Sequence, residues 1–342
     1  MRSERKRPAG RPITGAAIDP EIEALILKST RRNLRTHLSN NHVEEMLRRL
    51  MAHLADSARY IALTMQLVRR TLAGQKNVHD DAQMKLDVVA DAILKKRLEQ
   101  ETAFDIRQFA SEEQNKILIL KNNGGPYSVT VDPLDGSSLI DVNLAVGTII
   151  GIYKGPILSR RPARRNLVAA MCIIYGPLTT LLYTAGRGTH EFVLDPTGNF
   201  VLSNEDLKLR HSGEIYSPGG LARDWLPNHA QFIRELEKRG YKLRYSGGLV
   251  PDFNQITLKK GGIFVYPALT DAPKGKMRLL FEALPLALLI EQAGGRATDG
   301  VRDILDIVPK DIRDRTPLYI GSRQEVDLAR HFLTSGNSGK IS

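Results

Sequence analysis

The chain has 342 residues, of which 42% are hydrophobic and 25% charged, with 28 Gly and 17 Pro. That composition supplies a sizeable core and excludes a disordered, collagen-like or low-complexity chain. The formal net charge of +11 fits a nucleic-acid partner, an acidic surface or an anionic substrate, so the placement of the charge decides among them.

Residues 1–12 carry five bases and one acid beside two prolines, without apolar periodicity. They are expected to form a disordered arm; a short transit peptide is the alternative reading. From Met46 to Leu72, apolar residues at Leu47, Leu50, Leu54, Ala58, Ile61, Met65, Val68 and Leu72 predict one long core-facing helix. Ser39-Asn40-Asn41 offers caps for it or for a preceding turn. A second helix is expected from about Val88 to Gln100, after the polar segment Gly74–Gln83.

Beyond Lys121 short β-branched runs take over: Tyr127–Val131, Gly147–Tyr153, Val168–Tyr175, Thr180–Tyr183 and Phe192–Leu194. A helix near Asn228–Lys238, strands at Lys242–Tyr245 and Gly262–Tyr266, and a helix beginning near Pro285 follow. The polar stretch Ser203–Gly213 is the expected seam. After a lead-in of 1–40, it divides an α+β domain over 41–208 from an α/β domain over 209–342. The longest apolar runs, Leu167–Tyr175 and Ala283–Ile290, fall short of the ~20 residues of a membrane-spanning helix. One cysteine, Cys172, permits no disulfide within the chain. Its apolar setting reads as inert packing, and the chain is read as cytoplasmic.

The chemistry concentrates in Ser128-Val-Thr-Val-Asp-Pro-Leu-Asp-Gly-Ser-Ser. A strand stopped by Pro133 ends in two aspartates, Asp132 and Asp135, while Gly136, Ser137 and Ser138 offer N–H and hydroxyl groups to a phosphate. Glu112-Glu113 precedes this strand, Glu282 precedes the Pro285 helix, and Asp81 and Asp87 are read as flanking a turn. Converging carboxylates without His or Cys suit magnesium or manganese rather than zinc. Lys276 and Arg278 form a basic pair able to neutralise a phosphate. Basic residues of Lys154–Arg165 read as a solvated loop. A nucleic-acid-binding protein is the distant alternative, weakened by 6% aromatics and by basic segments without interleaved aromatics.

Asp132-Pro-Leu-Asp-Gly-Ser-Ser, Ile140-Asp-Val-Asn, Val146-Gly-Thr-Ile, Gly262-Ile-Phe-Val-Tyr-Pro-Ala and Gly275-Lys-Met-Arg-Leu-Leu-Phe-Glu together resemble the class I fructose-1,6-bisphosphatase family, from roughly Met46 to Gln324. The resemblance implies a layered α/β/α/β/α sugar-phosphatase fold and magnesium-dependent removal of the 1-phosphate of fructose 1,6-bisphosphate, in gluconeogenesis or Calvin-type metabolism. It implies two or three Mg2+ per subunit, with Mn2+ as the alternative, on Glu112, Asp132, Asp135, Glu282 and the Leu134 carbonyl. Asp81 matches the family's acidic loop, and Asp87 and Glu113 would position and deprotonate the attacking water. Arg244, Tyr245 and Tyr266 would hold the distal phosphate, Arg244 reaching in from a neighbouring subunit of a homotetramer.

The pattern departs from the family in places. Pro218-Gly-Gly-Leu follows Tyr216-Ser217 where an Asn and a Tyr are usual. With Leu139 and Gly247-Gly-Leu-Val-Pro-Asp-Phe-Asn-Gln-Ile, this resembles sedoheptulose-1,7-bisphosphatases, which makes that activity, or dual use, the alternative. Tyr266 and Val308-Pro-Lys-Asp-Ile favour the fructose enzymes. Inositol monophosphatase lacks its second signature here, since Trp225 follows Asp224. Pro126 stands where AMP-regulated members carry Lys, and Arg35–Glu44 shows none of their helix start.

Overall fold

A computed structural model describes residues 32–72, 79–100, 106–120, 124–259 and 261–335, with the side chains of 68–85 excepted. The expected arm over 1–12, residues 74–78 of the polar segment, and the side chains of Val68, Leu72, Asp81, Met84 and Lys85 lie outside the described residues.

Three helices open the described chain: α1 (Leu34–Asn40), α2 (Glu45–Leu72) and α3 (His79–Gln100). Residues 34–40, read as lead-in, are therefore helical. Asn33 caps α1, its side-chain oxygen accepting the Thr36 N–H at 2.9 Å. Ser39-Asn40-Asn41 ends α1 rather than starting α2. Glu44 caps α2 instead, its carboxylate accepting the Met46 and Leu47 N–H groups at 3.1 and 3.0 Å. Helix α3 begins at His79, not Val88. Its stripe of Leu86, Ala90, Leu94 and Leu98 is buried, whereas the mostly polar sequence before Leu86 carries no periodic signal. Asp81 and Asp87 thus lie within one helix rather than around a turn.

The larger sheet has eight strands in the order β2-β1-β3-β4-β5-β6-β7-β8. They are β1 (Ile106–Ser111), β2 (Leu118–Ile119), β3 (Tyr127–Asp135), β4 (Val146–Lys154), β5 (Leu167–Tyr175), β6 (Thr179–Thr184), β7 (His190–Leu194) and β8 (Phe200–Asn204). Pairing is antiparallel except between β1 and β3. Pro133 does not stop the ladder. Asp132 pairs with Ile149 and Asp135 with Gly147, so the strand bulges past a residue that cannot donate and then resumes.

A second sheet runs β10-β9-β11-β15-β13, built from β9 (Ile215–Pro218), β10 (Lys242–Leu243), β11 (Gly262–Tyr266), β13 (Arg296–Thr298) and β15 (Leu318–Gly321). Strands β12 (Met277–Arg278) and β14 (Arg315–Thr316) pair separately. The remaining helices are α4 (Pro227–Lys238), α5 (Leu249–Leu258), α6 (Leu284–Gln292) and α7 (Arg323–Ser335).

Three cores order these parts. Val129, Val131, Ala169, Met171 and Ile173 face α2 and α3. The alternate residues Ala170, Cys172 and Ile174 face α5 and α6, which also receive Phe264, Leu318 and Ile320 from the second sheet. Ile263, Val265 and Tyr319 turn the other way onto α4 and α7. A period of two with both faces apolar requires cover on both faces, and the result is five layers, α/β/α/β/α. Among the described residues no helix is long and apolar enough to cross a membrane.

Candidate active site

Parallel pairing of β1 with β3 sets Ser111 beside Val131. The next residue on each strand, Glu112 and Asp132, is therefore carried to the same strand end, and the Glu112 N–H donates to the Val131 carbonyl at 3.0 Å. Glu282 arrives from the other side of the sheet, on the turn entering α6. One carboxylate oxygen from each of Glu112, Asp132 and Glu282 lies within 4.8 Å of the others. Asp132 and Glu282 are buried, at 5% and 8% exposure.

Burial first, then the charges of Glu112, Asp135 and Glu282, hold the Asp132 carboxyl well above the carboxylate range. Glu282 is raised likewise by burial, Asp135 and Glu112. Asp135 is pushed up to about 7, mainly by burial, against a hydrogen bond from the Val250 N–H at 3.0 Å. Such a cluster is unfavourable unless a cation neutralises it. Its all-oxygen donors fit a hard divalent metal. Arg278 supplies part of the compensation, with Nε 3.0 Å from Glu112 and its N–H donated to Glu282.

Helix α3 borders the cluster with Asp87 and Asp91. Burial raises Asp87 to about 6 despite a hydrogen bond with Ser137, and its Oδ1 is buried without a protein partner. Asp91 accepts Gln114 Nε2 at 2.8 Å, while its Oδ1 also has no partner. Glu113 is exposed at the rim and is raised by partial desolvation, then by Glu112 and Asp91. Leu134 is buried beside them, its N–H 3.1 Å from Asp132 Oδ1. Gly136 adopts φ +78°, which a side chain would strain. It turns the chain into a short 3-10 segment, Ser137–Leu139, whose first internal bond runs from the Leu139 N–H to the Gly136 carbonyl.

The second group sits at the ends of β9 and β11. The Arg244 N–H donates to the Tyr216 carbonyl at 2.9 Å, and the Ser217 hydroxyl donates to the Arg244 carbonyl. Tyr245, exposed, is raised by partial desolvation of its hydroxyl and by Tyr266. The Lys276 ammonium lies 3.3 Å from Asp271. Arg164 of the loop read as solvated is pinned instead to Glu291 and Asp306, at 2.6 and 2.8 Å.

Several contributors escaped the sequence reading. Asp91 was signalled only by its four-residue spacing from Asp87. The Val250 N–H was not signalled at all. Fully buried Asp252 accepts the Ser246 N–H on both oxygens, at 3.0 and 3.1 Å, and so fixes the segment that carries Arg244 and Tyr245.

Comparison with known proteins agrees with this geometry. Residues 29–205 match the family model for the fructose-1-6-bisphosphatase N-terminal domain, and residues 209–334 that for its C-terminal domain. The class 1 fructose-1,6-bisphosphatase of Pelobacter propionicus is 46% identical over 304 residues, 89% of this chain and 93% of that protein. That of Trichlorobacter lovleyi is 46% identical over 302 residues, 88% of this chain and 95% of that protein. The crystal structure of Leishmania major fructose-1,6-bisphosphatase in holo form superposes with a TM-score of 0.79 at 31% identity, covering 88% of this chain and 98% of that one. The carboxylate cluster, the layered fold and these matches agree: the chain belongs to the class 1 fructose-1,6-bisphosphatase family.

Proposed function

We propose that this chain, a phosphatase, removes the 1-phosphate of fructose 1,6-bisphosphate using Mg2+ held by Glu112, Asp132, Asp135, Glu282 and the Leu134 carbonyl, two or three ions per subunit, with Mn2+ as a substitute. The observation that carries the assignment is the convergence of Glu112, Asp132 and Glu282 within 4.8 Å, with the buried, unpartnered Asp87 Oδ1 beside them. A divalent cation bound there supplies charge neutralisation on the phosphoryl oxygens and acidifies water.

Asp87 and Glu113 orient the attacking water and accept its proton. A carboxyl raised to about 6 is ionised at neutral pH yet basic enough for that transfer. Gly136, Ser137 and Ser138 hold the reacting phosphate, assisted by Arg278 and Lys276. Arg244, Tyr245 and Tyr266 hold the distal phosphate, Arg244 from a neighbouring subunit of a tetramer. The family resemblance adds Asp81, a residue of α3, to the proposed metal-binding acids. A boundary at 208/209 divides the chain into two domains, a division supported by the separate family matches, with Glu282 of the second reaching the acid cluster of the first. A cytoplasmic enzyme of gluconeogenesis or Calvin-type metabolism is the setting consistent with this chemistry.

One observation favours a second reading. Gly219 packs so closely beneath Tyr266 that a Cβ would stand 2.6 Å from the ring. The position after Ser217-Pro218 therefore offers no side chain to a six-carbon substrate, which favours use of sedoheptulose 1,7-bisphosphate as well. A regulatory consequence is supported by Pro126, which offers no cation to a nucleotide phosphate beside Tyr127, so AMP is not expected to inhibit.

The deciding assay is phosphate release from fructose 1,6-bisphosphate, sedoheptulose 1,7-bisphosphate and inositol 1-phosphate, with and without chelator. Asp132→Asn should lose release while remaining folded. An undiminished rate in that variant, or activity unaffected by chelator, rejects the assignment.

A further inference from the structure

The chain enters α6 through a defect. The Leu284 N–H donates to the Leu279 carbonyl, five residues back, so Leu279–Ala283 forms a π turn. Such turns disturb the donor series of the helix they enter. The next carbonyl in that series belongs to Leu280, and its counterpart donor would be residue 285, a proline without an N–H. A buried carbonyl left unpaired is costly. Thr130 of β3 meets the need, its hydroxyl donating to the Leu280 carbonyl at 3.1 Å, with both residues buried.

The two ends of this bond are placed alike. Thr130 lies two residues before Asp132, and Leu280 lies two residues before Glu282. One hydrogen bond therefore joins the backbone segments that present two of the three converging carboxylates. Those carboxylates repel when ionised, so their spacing is held by the framework and not by mutual attraction. The framework is tight at this point. Gly151, the strand partner of Thr130, has no room for a side chain: a Cβ would stand 2.8 Å from Thr130 Oγ1 and 3.1 Å from Pro285 Cγ.

We infer that Thr130 is a positioning residue of the metal site: its hydroxyl supplies the donor that Pro285 withholds and thereby fixes Glu282 relative to Asp132. This rests on Asp132 and Glu282 being metal ligands. Hydrogen bonds made directly to metal ligands are typically worth about 10–100-fold in metal affinity, and a bond to the backbone two residues from the ligand is expected at the lower end of that range.

The test titrates Mn2+ calorimetrically into chelator-treated full-length protein, comparing the parent with Thr130→Val, Thr130→Ser and Glu282→Gln, and also measures the Mg2+ dependence of phosphate release. Thr130→Val keeps the volume and removes the donor. It should weaken Mn2+ binding about tenfold and raise half-saturating Mg2+ in parallel, with KM for the bisphosphate within about twofold. Thr130→Ser should recover the parent affinity to within about threefold. Parent-like Mn2+ affinity in Thr130→Val, or Thr130→Ser as weak as Thr130→Val, overturns the inference. Should Thr130→Val not fold, Thr130→Ala, which cannot overfill the site, is read against the same limits. Parent-like binding by Glu282→Gln would instead remove the ligand assignment, and the inference with it. Loss of binding in Glu282→Gln beside full binding in Thr130→Val removes the inference alone.

Discussion

The Val250 N–H lies 3.0 Å from a carboxylate oxygen of Asp135, across 115 residues of sequence. It is the first turn of α5 that donates, and the same helix holds Asp252, which fixes the Ser246 N–H. One short helix thus touches the acid cluster through its backbone and the segment bearing Arg244 and Tyr245 through a buried side chain.

Gly147 makes that approach possible. It pairs with Asp135 across the bulge, and a Cβ there would stand 2.4 Å from the Ile173 carbonyl oxygen and 2.6 Å from Val250 Cγ1. Gly147→Ala is expected to destabilise the protein by about 1–3 kcal/mol through overpacking and to lower kcat as α5 is pushed from Asp135. Urea denaturation and steady-state kinetics check both effects.

Asp252→Ala is expected to raise KM for the bisphosphate about threefold to tenfold, since a lost buried hydrogen bond frees the Ser246 segment. Half-saturating Mg2+ should stay near the parent value, because Asp252 does not belong to the triad of Glu112, Asp132 and Glu282. A split between the two constants, measured on one preparation, is the readout.

Chelation should lower the melting temperature and Mg2+ should restore it, a hundred times its Kd adding about 2.7 kcal/mol of stability. The gain is expected to be larger at pH 8 than at pH 6, because the raised carboxyls of Asp132, Asp135 and Glu282 must give up protons to bind a cation. Scanning calorimetry at the two pH values checks the sign.

His229 sets an acid limit on stability. It is 1% exposed, bonds to the Tyr319 hydroxyl through Nδ1 at 3.1 Å, and burial lowers it to about 4 from 6.5. The unfolded chain takes up this proton at higher pH than the folded one. Stability is therefore full above pH 6.5 and is lost as pH falls from there toward 4, by about 3 kcal/mol in all. His229→Phe should flatten the pH dependence over that window in denaturant titrations, relative to the parent.

Much of this was legible locally. The stripe Leu47, Leu50, Leu54, Ala58 and Ile61 gave α2, and all five residues are buried. The run Val168–Tyr175 marked β5, which extends one residue further, to Leu167. Strand β11 fell on its expected residues. Helix α5 was hidden by Gly247-Gly248 before it and Pro251 within its first turn, although proline there is compatible with a helix start. The early turns of α3 were hidden because polar residues carry no period.

The sequence by itself determined the chemistry: which side chains are acids, which strand ends in Asp132-Pro-Leu-Asp-Gly-Ser-Ser, and that hard oxygen donors outnumber any other kind there. Only the tertiary structure decided which acids meet. Parallel register put Glu112 beside Asp132, a π turn tied down by Thr130 brought Glu282 to both, and the α5 backbone reached Asp135. Those outcomes depend on pairing and on unsatisfied backbone groups between segments separated in sequence, as far apart as the 150 residues from Thr130 to Leu280, and such terms leave no mark in local spacing.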